Sequence, residues 1–464
     1  MRRRRSRTSS RPSGKTQARA RTAARPAAGA AAKRRAGGAI GRGAPSTNAQ
    51  PVGTTSALGF AFGNPHPTPD DYNTLDPKDV FADANIKSTP SPEPVPPPWR
   101  TPPVLAASDV LGADVLSQIQ QSGRIVFHAV GDTGGIKQPS DQFAVADAMS
   151  ADLAGATYAA GRPAFFFHLG DVVYYYGQER YYYDQFYDPY RDYDAPIFAV
   201  PGNHDGVLFP GEPVKYSLES FCNNFCTATS MHHVVAQGCA RTTMTQPGVY
   251  FTLDAPFVKI IGLYSNTSEG ATQGLISGPK VGPAQLAFLQ SQLQTAAAQR
   301  AKNDRRALVI AVHHPPFTGS GSHTPNPAML ADIDAACQKA GIYPDVVLSG
   351  HAHLYERYTR TVAGRQIPYV VAGNGGYFNL SGFKPGAGGK QPKPPVKGTD
   401  ATGNPLTLES FADKLYGYLR LTVTPGTLSC EFVSVDKTTG KKTVPDAFSL
   451  NLAAHQVTSR PRAP

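Results

Sequence analysis

The sequence predicts an α/β fold in which helices cover both faces of a sheet core. Five short runs of apolar residues have the length and composition of strands buried on both faces. Segments with helical patterns lie between several of these runs. Gly or Pro bounds most of the segments, as is usual where one element ends and the next begins. Strands that alternate with helices along a chain are typical of α/β domains.

The five predicted strands share a high content of β-branched and aromatic residues. They are RIVFHAV (124–130), AFFFHL (164–169), APIFAV (195–200), ALVIAV (307–312) and DVVLS (345–349). Near the C-terminal end, YGYLRLTVTPGTLSCEFVSVD (416–436) predicts two further strands joined at a Pro-Gly turn, which form a β-hairpin.

Four segments are predicted to be helices from their caps and apolar periodicity. They are 108–123, opened by Ser108 and closed by Gly123; 139–155, capped by Ser140; 282–300, with an apolar stripe of Leu286, Leu289 and Leu293; and 327–341, ended by Gly341.

The net charge of +11 is concentrated at the N-terminal end of the chain. Residues 1–45 contain 14 Lys or Arg and no Asp or Glu, which leaves a charge of −3 (11 − 14) on the remainder. This composition predicts a disordered basic tail, either a weak polyanion-binding arm or a solvated extension. Residues 46–106 are predicted to be a Pro/Gly-rich linker or surface-wrapping segment, 107–455 the folded domain and 456–464 a C-terminal tail.

Targeting signals and a membrane span are not recognisable in the sequence. The longest small-residue stretch, 27–32, is interrupted by Gly29 and followed by three basic residues, which does not fit a signal peptide. The location therefore stays unknown from the sequence, with the cytoplasm favoured. Three of the five cysteines, Cys222, Cys226 and Cys239, cluster in one segment. Free thiols, a disulfide and a zinc site all remain open there.

Polar side chains follow each of the five predicted strands. They are Asp132, Asp171 with Tyr174, Asn203 with His204, His313 with His314, and His351 with His353. Ligand sites of open α/β sheets gather at the carboxyl ends of strands, so we expect these side chains to converge. A mixed set of oxygen donors and imidazoles suits zinc or first-row transition metals. Even seven of these nine side chains would be more ligands than one ion needs, which predicts a two-metal site.

The motifs GDTGG, GDVVY, GNHD, VHHPP and GHAH together resemble those of the calcineurin-like metallophosphoesterases, and among them the purple acid phosphatases. The resemblance covers residues 124–435 and implies a β-sandwich of two mixed sheets flanked by helices. Many metallophosphoesterases open with Asp-x-His, but Gly134 stands at the place of that His. Tyr174, three residues after Asp171, matches the Tyr of the purple acid phosphatase pattern.

The resemblance implies a specific set of ligands for each ion. Asp132, Tyr174 and His353 would hold Fe(III). The second, divalent ion (Fe, Zn or Mn) would be held by Asn203, His313 and His351, with Asp171 bridging the two. The His-x-Pro spacing selects His313, although a small register shift would select His314 instead.

Two further histidines are expected to be catalytic by the same resemblance. His204 and His323 are similar to residues that contact the phosphate or protonate the leaving alkoxide. His323 has an alternative as an exposed loop residue. Four histidines, His66, His232, His233 and His455, lack a supporting pattern, and His128 and His168 are expected in the core or behind the ligands.

The expected activity is hydrolysis of a phosphate monoester by a metal-activated hydroxide, as in acid phosphatases. Two alternatives remain. The first is a phosphodiesterase on the same scaffold, which would act on nucleotides or lipid head groups. The second is a noncatalytic polyanion-binding protein that uses residues 1–45. The loops 205–248 and 382–400 are expected to decide between ester substrates.

Overall fold

Two mixed β-sheets form the centre of the domain in the computed structural model, which describes residues 95–208, 216–265, 274–279 and 281–459. The predicted tail (1–45), most of the predicted linker (46–94), His66 and residues 460–464 lie outside the described residues.

The first sheet has nine strands within the described residues. They are β1 (Val104–Ala106), β5 (Phe251–Ala255), β6 (Val258–Leu263), β7 (Ala307–Val312), β8 (Val346–Ser349), β9 (Tyr355–Val362), β10 (Arg365–Ala372), β11 (Val396–Thr399) and β12 (Pro405–Ala412). Their order in the sheet is β1-β5-β6-β7-β8-β10-β9-β12-β11. The strands β6, β7 and β8 run parallel to one another, so their carboxyl ends lie at the same edge.

The second sheet has seven strands in the described part of the chain. They are β2 (Ile125–Val130), β3 (Pro163–His168), β4 (Ile197–Ala199), β13 (Gly417–Val423), β14 (Thr427–Val435), β15 (Lys442–Asn451) and β16 (Gln456–Ser459), in the order β16-β15-β14-β13-β2-β3-β4. The strands β2, β3 and β4 are parallel, and β13 and β14 form the predicted antiparallel hairpin.

The two sheets pack face to face through large side chains. The rings of Phe167 on β3 and Phe251 on β5 lie 6.0 Å apart, and those of Tyr355 on β9 and Phe432 on β14 lie 4.2 Å apart. All residues of β2, β3, β4, β7 and β8 are buried, as the apolar runs predicted. The predicted β-sandwich of two mixed sheets is therefore confirmed.

Six α-helices flank the sheets or lie in their connections in the described ranges. They are α1 (Ala113–Ser122), α2 (Pro139–Ala151), α3 (Asn203–Gly206), α4 (Glu219–Phe225), α5 (Ala284–Ala301) and α6 (Pro327–Ala340). The helix α2 packs on β13 and β14, and α5 packs on β6 and against α6. No helix of the described residues is long and apolar enough to cross a membrane.

Two predicted helix starts are wrong. The helix α1 begins after Gly112 rather than at Ser108, since residues 107–109 form a separate 3₁₀ turn. The helix α2 begins at Pro139, whose fixed φ suits the first helical position, so Ser140 lies inside the helix. The predicted ends at Gly123 and Gly341 are confirmed, because both glycines adopt the left-handed conformation that closes a helix.

Strands at both ends of the domain extend beyond the predicted limits of 107 and 455. The strand β1 pairs in parallel with β5, and β16 pairs with β15. Pairing with a sheet edge stabilises each of these short strands, whose sequences, VLA and QVTS, are too short to identify a strand by themselves.

Candidate metal centre

The carboxyl ends of β2, β3 and β4 meet those of β7 and β8 at one end of the sandwich. The ring of His313, after β7, joins the two sheets, because its Nδ1 lies 2.8 Å from the backbone O of Leu169, after β3. The polar residues that follow the five strands thus lie at one end of the sandwich.

The backbone at three of these residues has a conformation that is uncommon for residues with a side chain. The φ angles of Asp132, Asp171 and His351 are 56°, 56° and 66°. Hydrogen bonds to neighbouring strand ends hold this conformation: the N–H of Asp132 donates to Gly170 O (2.9 Å), and that of His351 donates to Oδ2 of Asp132 (2.8 Å). Such conformations are typical of functional sites, where the surrounding fold fixes them.

The first group of donor atoms consists of Asp132, Tyr174 and His353. The Tyr174 hydroxyl lies 3.2 Å from Oδ1 of Asp132 and 3.4 Å from Nε2 of His353. The same carboxylate oxygen lies 3.4 Å from His353 Nε2. All three side chains are buried, so a phenol oxygen, a carboxylate oxygen and an imidazole nitrogen face one small space.

The second group consists of Asn203, His313 and His351. The amide oxygen Oδ1 of Asn203 lies 3.1 Å from Nε2 of His313 and 2.9 Å from Nδ1 of His351. Asn203 is the first residue of α3, directly after β4. The residues that follow β4, β7 and β8, which are strands of both sheets, thus supply one donor each.

Asp171 contacts both groups. Its Oδ2 lies 3.1 Å from the Tyr174 hydroxyl of the first group and 3.4 Å from Nε2 of His313 in the second. Donor atoms of Asp171, His313 and His351 lie within 4.8 Å of one another, a separation small enough for one ion to bind all three. The carboxylate is therefore in the position of a bridge between two sites.

Charges in the cluster shift the pKa values of its members. Burial opposes the charge on His313, but the Asp171 carboxylate outweighs it and raises the pKa of His313 to about 9. In turn, His313 and His204 hold the pKa of Asp171 well below its usual range against the effect of burial. Burial and the charges of Asp171 and Asp132 raise the pKa of the Tyr174 phenol well above its usual range.

These donors fit a pair of metal ions. Two buried carboxylates, Asp132 and Asp171, face imidazoles, an amide oxygen and a phenol, with no Lys or Arg in ion-pair contact with either carboxylate among the described residues. Bound cations would compensate this buried negative charge, and a mixed oxygen and nitrogen set suits transition metals or zinc.

His204 and His323 lie beside the donor groups. The backbone N–H of His204 donates to Oδ1 of Asp171 (2.8 Å), and its ring lies 4.4 Å from the Tyr174 ring. The His323 ring lies 4.6 Å from His351 and 5.0 Å from His353. Burial and the charge of His353 lower the pKa of His323 to about 3.

His314 is buried next to the cluster but points to a different partner. Its Nδ1 lies 2.9 Å from the Ser265 hydroxyl, and its ring is 4.1 Å from that of His351. The contacts to Asn203 and Asp171 belong to His313, which agrees with the choice made from the His-x-Pro spacing.

The remaining five histidines of the described residues lie outside the two donor groups. His168 is buried behind the site, with its Nε2 2.8 Å from the Thr133 hydroxyl. His128 lies in the core, where its Nε2 is 3.2 Å from Asp152. His232, His233 and His455 contact Cys239 O, Glu179 and Asp345 respectively.

Several supporting residues were not found from the sequence. Gln185 holds the backbone of Tyr174 at both its N–H (2.9 Å) and its carbonyl (3.0 Å). The Asp205 carboxylate accepts hydrogen bonds from the amides of Val172, Val173 and Gly202, which fixes the loop that carries Asp171. The Asp that follows Asn203 and His204 in GNHD was the only local signal for any of these contacts.

Tyr377 also escaped detection. Its ring stacks on Tyr174 at 4.1 Å and lies 4.6 Å from His353. Its residue type and its neighbours in the sequence carry no sign of this long-range contact. The cysteine cluster takes no part in the centre, and Cys222, Cys226 and Cys239 are free thiols in the structure.

Residues 125–355, about half of the chain, match the family model of the calcineurin-like phosphoesterases. The chain belongs to this family of metallophosphoesterases, whose members depend on two metal ions. No curated protein matches the chain in sequence.

Solved structures with a similar fold have low sequence identity to the chain. A purple acid phosphatase from yellow lupin seeds is 17% identical, with a TM-score of 0.47 over 71% of this chain and 54% of its own length. PhoD is 13% identical, with a TM-score of 0.44 over 74% of this chain and 72% of its own length. GAP50, described as the anchor in the inner membrane complex of Plasmodium, is 14% identical, with a TM-score of 0.45 over 71% of this chain and 89% of its own length. The chain thus spans about half the length of the lupin protein.

Proposed function

We propose that the protein is a binuclear-metal phosphohydrolase that hydrolyses phosphate monoesters in the manner of an acid phosphatase. The position of Asp171, in contact with both donor groups, carries this proposal. Asp132, Tyr174 and His353 would hold Fe(III), because a hard trivalent ion suits a phenolate ligand. Asn203, His313 and His351 would hold a divalent Fe, Zn or Mn ion. When bound, the cations supply Lewis-acid charge that neutralises phosphoryl oxygens and lowers the pKa of water.

His204 is placed to protonate the leaving alcohol. Its Nδ1 lies 2.8 Å from the backbone O of Tyr175, an acceptor only, so Nδ1 carries a proton. The second nitrogen, Nε2, is then the atom that can give a proton to the leaving alcohol. A general acid of this kind contributes roughly 10²- to 10⁴-fold to a rate.

His323 is suited to bind the phosphoryl group as a neutral imidazole. Its Nδ1 lies 3.0 to 3.3 Å from the hydroxyls of Ser322, Ser320 and Ser381, each of which can donate to it. A proton on Nε2 completes the neutral tautomer, and this N–H can donate to a phosphoryl oxygen. Burial and the charge of His353 lower the pKa of His323 to about 3, which favours this neutral form at neutral and mildly acidic pH.

The choice between monoester and diester is tested with p-nitrophenyl phosphate and bis-p-nitrophenyl phosphate. We expect the metal-loaded full chain to hydrolyse the monoester with a kcat/KM at least about tenfold higher. A preference for the diester would instead favour a phosphodiesterase.

Asp171→Asn should lower kcat by about 10³-fold or more because the bridge is weakened. Asp114→Asn, an exposed change on α1, is the matched control and should leave both rates unchanged.

A further inference from the structure

Lys137 lies in the loop between β2 and α2, beyond the ligand Asp132. Its side chain is exposed, and its ammonium group lies 4.7 Å from the ring centre of Phe378 and 6.0 Å from that of Tyr175. Two aromatic rings thus hold the cation through cation–π contacts. The described residues place no carboxylate within ion-pair distance of it, in contrast to Lys437 and Lys442, which pair with Asp141 and Asp152.

The rings that hold Lys137 also border the metal centre. The Tyr175 ring lies 6.0 Å from that of His204, and its backbone O contacts the same histidine. Phe378 follows Tyr377, which stacks on Tyr174. The Tyr175 ring thus lies 6.0 Å from both the ammonium group of Lys137 and the ring of His204.

The loop around Lys137 has a fixed conformation. Its φ of 61° is uncommon for a residue with a side chain, and short hydrogen-bonded turns surround it, from Ile136 N–H to Gly134 O (3.0 Å) and from Gln138 N–H to Ile136 O (2.7 Å). Residues held in such conformations are often functional.

The segment that carries Phe378 is also held in place. The backbone O of Asn379 lies 2.9 Å from His353 Nδ1, and the N–H of Ser381 donates to His353 O (2.8 Å). The chain between Tyr377 and Ser381 is thus attached to a metal-ligand candidate, so Phe378 cannot move freely away from Lys137.

We propose that Lys137 selects phosphate monoesters whose alcohol part carries a second anionic group, a carboxylate or another phosphoryl group. The inference rests on the proposed function, since it assigns the phosphoryl group to the donor cluster and the second anion to Lys137. An exposed ammonium that has no carboxylate partner among the described residues, and that contacts a ring next to His204, attracts such an anion without changing the chemical step. Lys137 therefore affects KM rather than kcat.

The matched substrates are glycerol 3-phosphate and 3-phosphoglycerate, which differ mainly by a carboxylate in the alcohol part. We expect Lys137→Met, which keeps an unbranched side chain against the rings, to raise the KM for 3-phosphoglycerate about fivefold relative to glycerol 3-phosphate. Lys137→Arg should restore the wild-type ratio. Lys302→Met, an exposed change at the end of α5, is the control and should leave the ratio unchanged. About 0.5 M salt should weaken the wild-type preference by screening.

If Lys137→Met changes the KM values of both esters by the same factor, or changes neither of them, the inference is overturned. Binding gives a second test that does not need turnover: calorimetric titration of the metal-loaded full chain with pyrophosphate and with phosphate. We expect Lys137→Met to weaken pyrophosphate binding more than phosphate binding, and equal effects would contradict the role of Lys137. If the wild-type protein hydrolyses neither ester, this binding comparison decides the role of Lys137 by itself, and the proposed function fails only if p-nitrophenyl phosphate is not hydrolysed either.

Discussion

The ring of Tyr174 occupies the space into which a side chain on Gly134 would project. A Cβ atom at position 134 would meet Oε1 of Gln185, which holds the backbone of Tyr174, and would lie 2.7 Å from Cδ2 of Tyr174 and 3.1 Å from the backbone O of Val172. In the Asp-x-His motif of many metallophosphoesterases a histidine stands at this place, whereas here a side chain would collide with Gln185 and Tyr174. The absence of a side chain at position 134 therefore leaves room for the ring of Tyr174.

Gly134→Ala should displace Tyr174 and with it the first donor group. Contacts below 3.0 Å are not tolerated in a packed interior, so we expect at least about a tenfold loss of activity and of bound metal. Activity and metal content of the purified variant measure this. Gly112→Ala is the control, because a Cβ there meets nothing within 4 Å. Wild-type activity and metal content in Gly134→Ala would show that the crowding has no consequence.

His313 and His314 can be separated by substitution. His313→Ala removes a donor that contacts both Asn203 and Asp171, so we expect loss of about half of the bound metal and at least a hundredfold lower kcat. His314→Ala removes a side chain that contacts the Ser265 hydroxyl and should keep both ions. Metal analysis of the two variants compares them directly, and the reverse pattern would assign the ligand to His314.

Glu356 on β9 should make stability depend on pH. Burial raises the pKa of this carboxyl to about 8 from its ordinary value of 4.5, while its Oε1 accepts the N–H of Gly319 (2.8 Å). Because the folded state binds the proton more tightly, the stabilisation is complete below pH 4.5 and is lost as the pH rises through 8. Glu356→Gln keeps the acceptor and cannot ionise. We expect chemical denaturation between pH 5 and 8 to show a decline of roughly a few kcal/mol in the wild type that is smaller in the variant. Identical slopes would contradict this.

The strands that carry the centre could be predicted because their burial has a local signature. Each of β2, β3, β4, β7 and β8 is an apolar run followed by a turn residue, and the polar groups at their ends were found by position alone. The helix starts at Ser108 and Ser140 were predicted wrongly, because Gly112 and Pro139 determine where α1 and α2 begin.

The supporting contacts could not be predicted for a different reason. Gln185 reaches Tyr174 from 11 residues away, and the Tyr377 ring reaches it from 203 residues away. Neither contact has a periodic or motif signal, since only the folded chain brings these residues together. The same holds for Lys137, which is recognisable as a substrate-contact candidate only from the rings of Phe378 and Tyr175.

The most direct test of the account is the visible absorption spectrum of the purified protein, measured together with its iron content. If Tyr174 binds Fe(III), the wild-type protein contains iron and absorbs visible light through phenolate-to-iron charge transfer. Tyr174→Phe should lose this absorption, whereas Tyr175→Phe, a neighbouring ring outside the donor groups, should keep it. A wild-type protein without iron, or an unchanged band in Tyr174→Phe, would contradict the proposed centre.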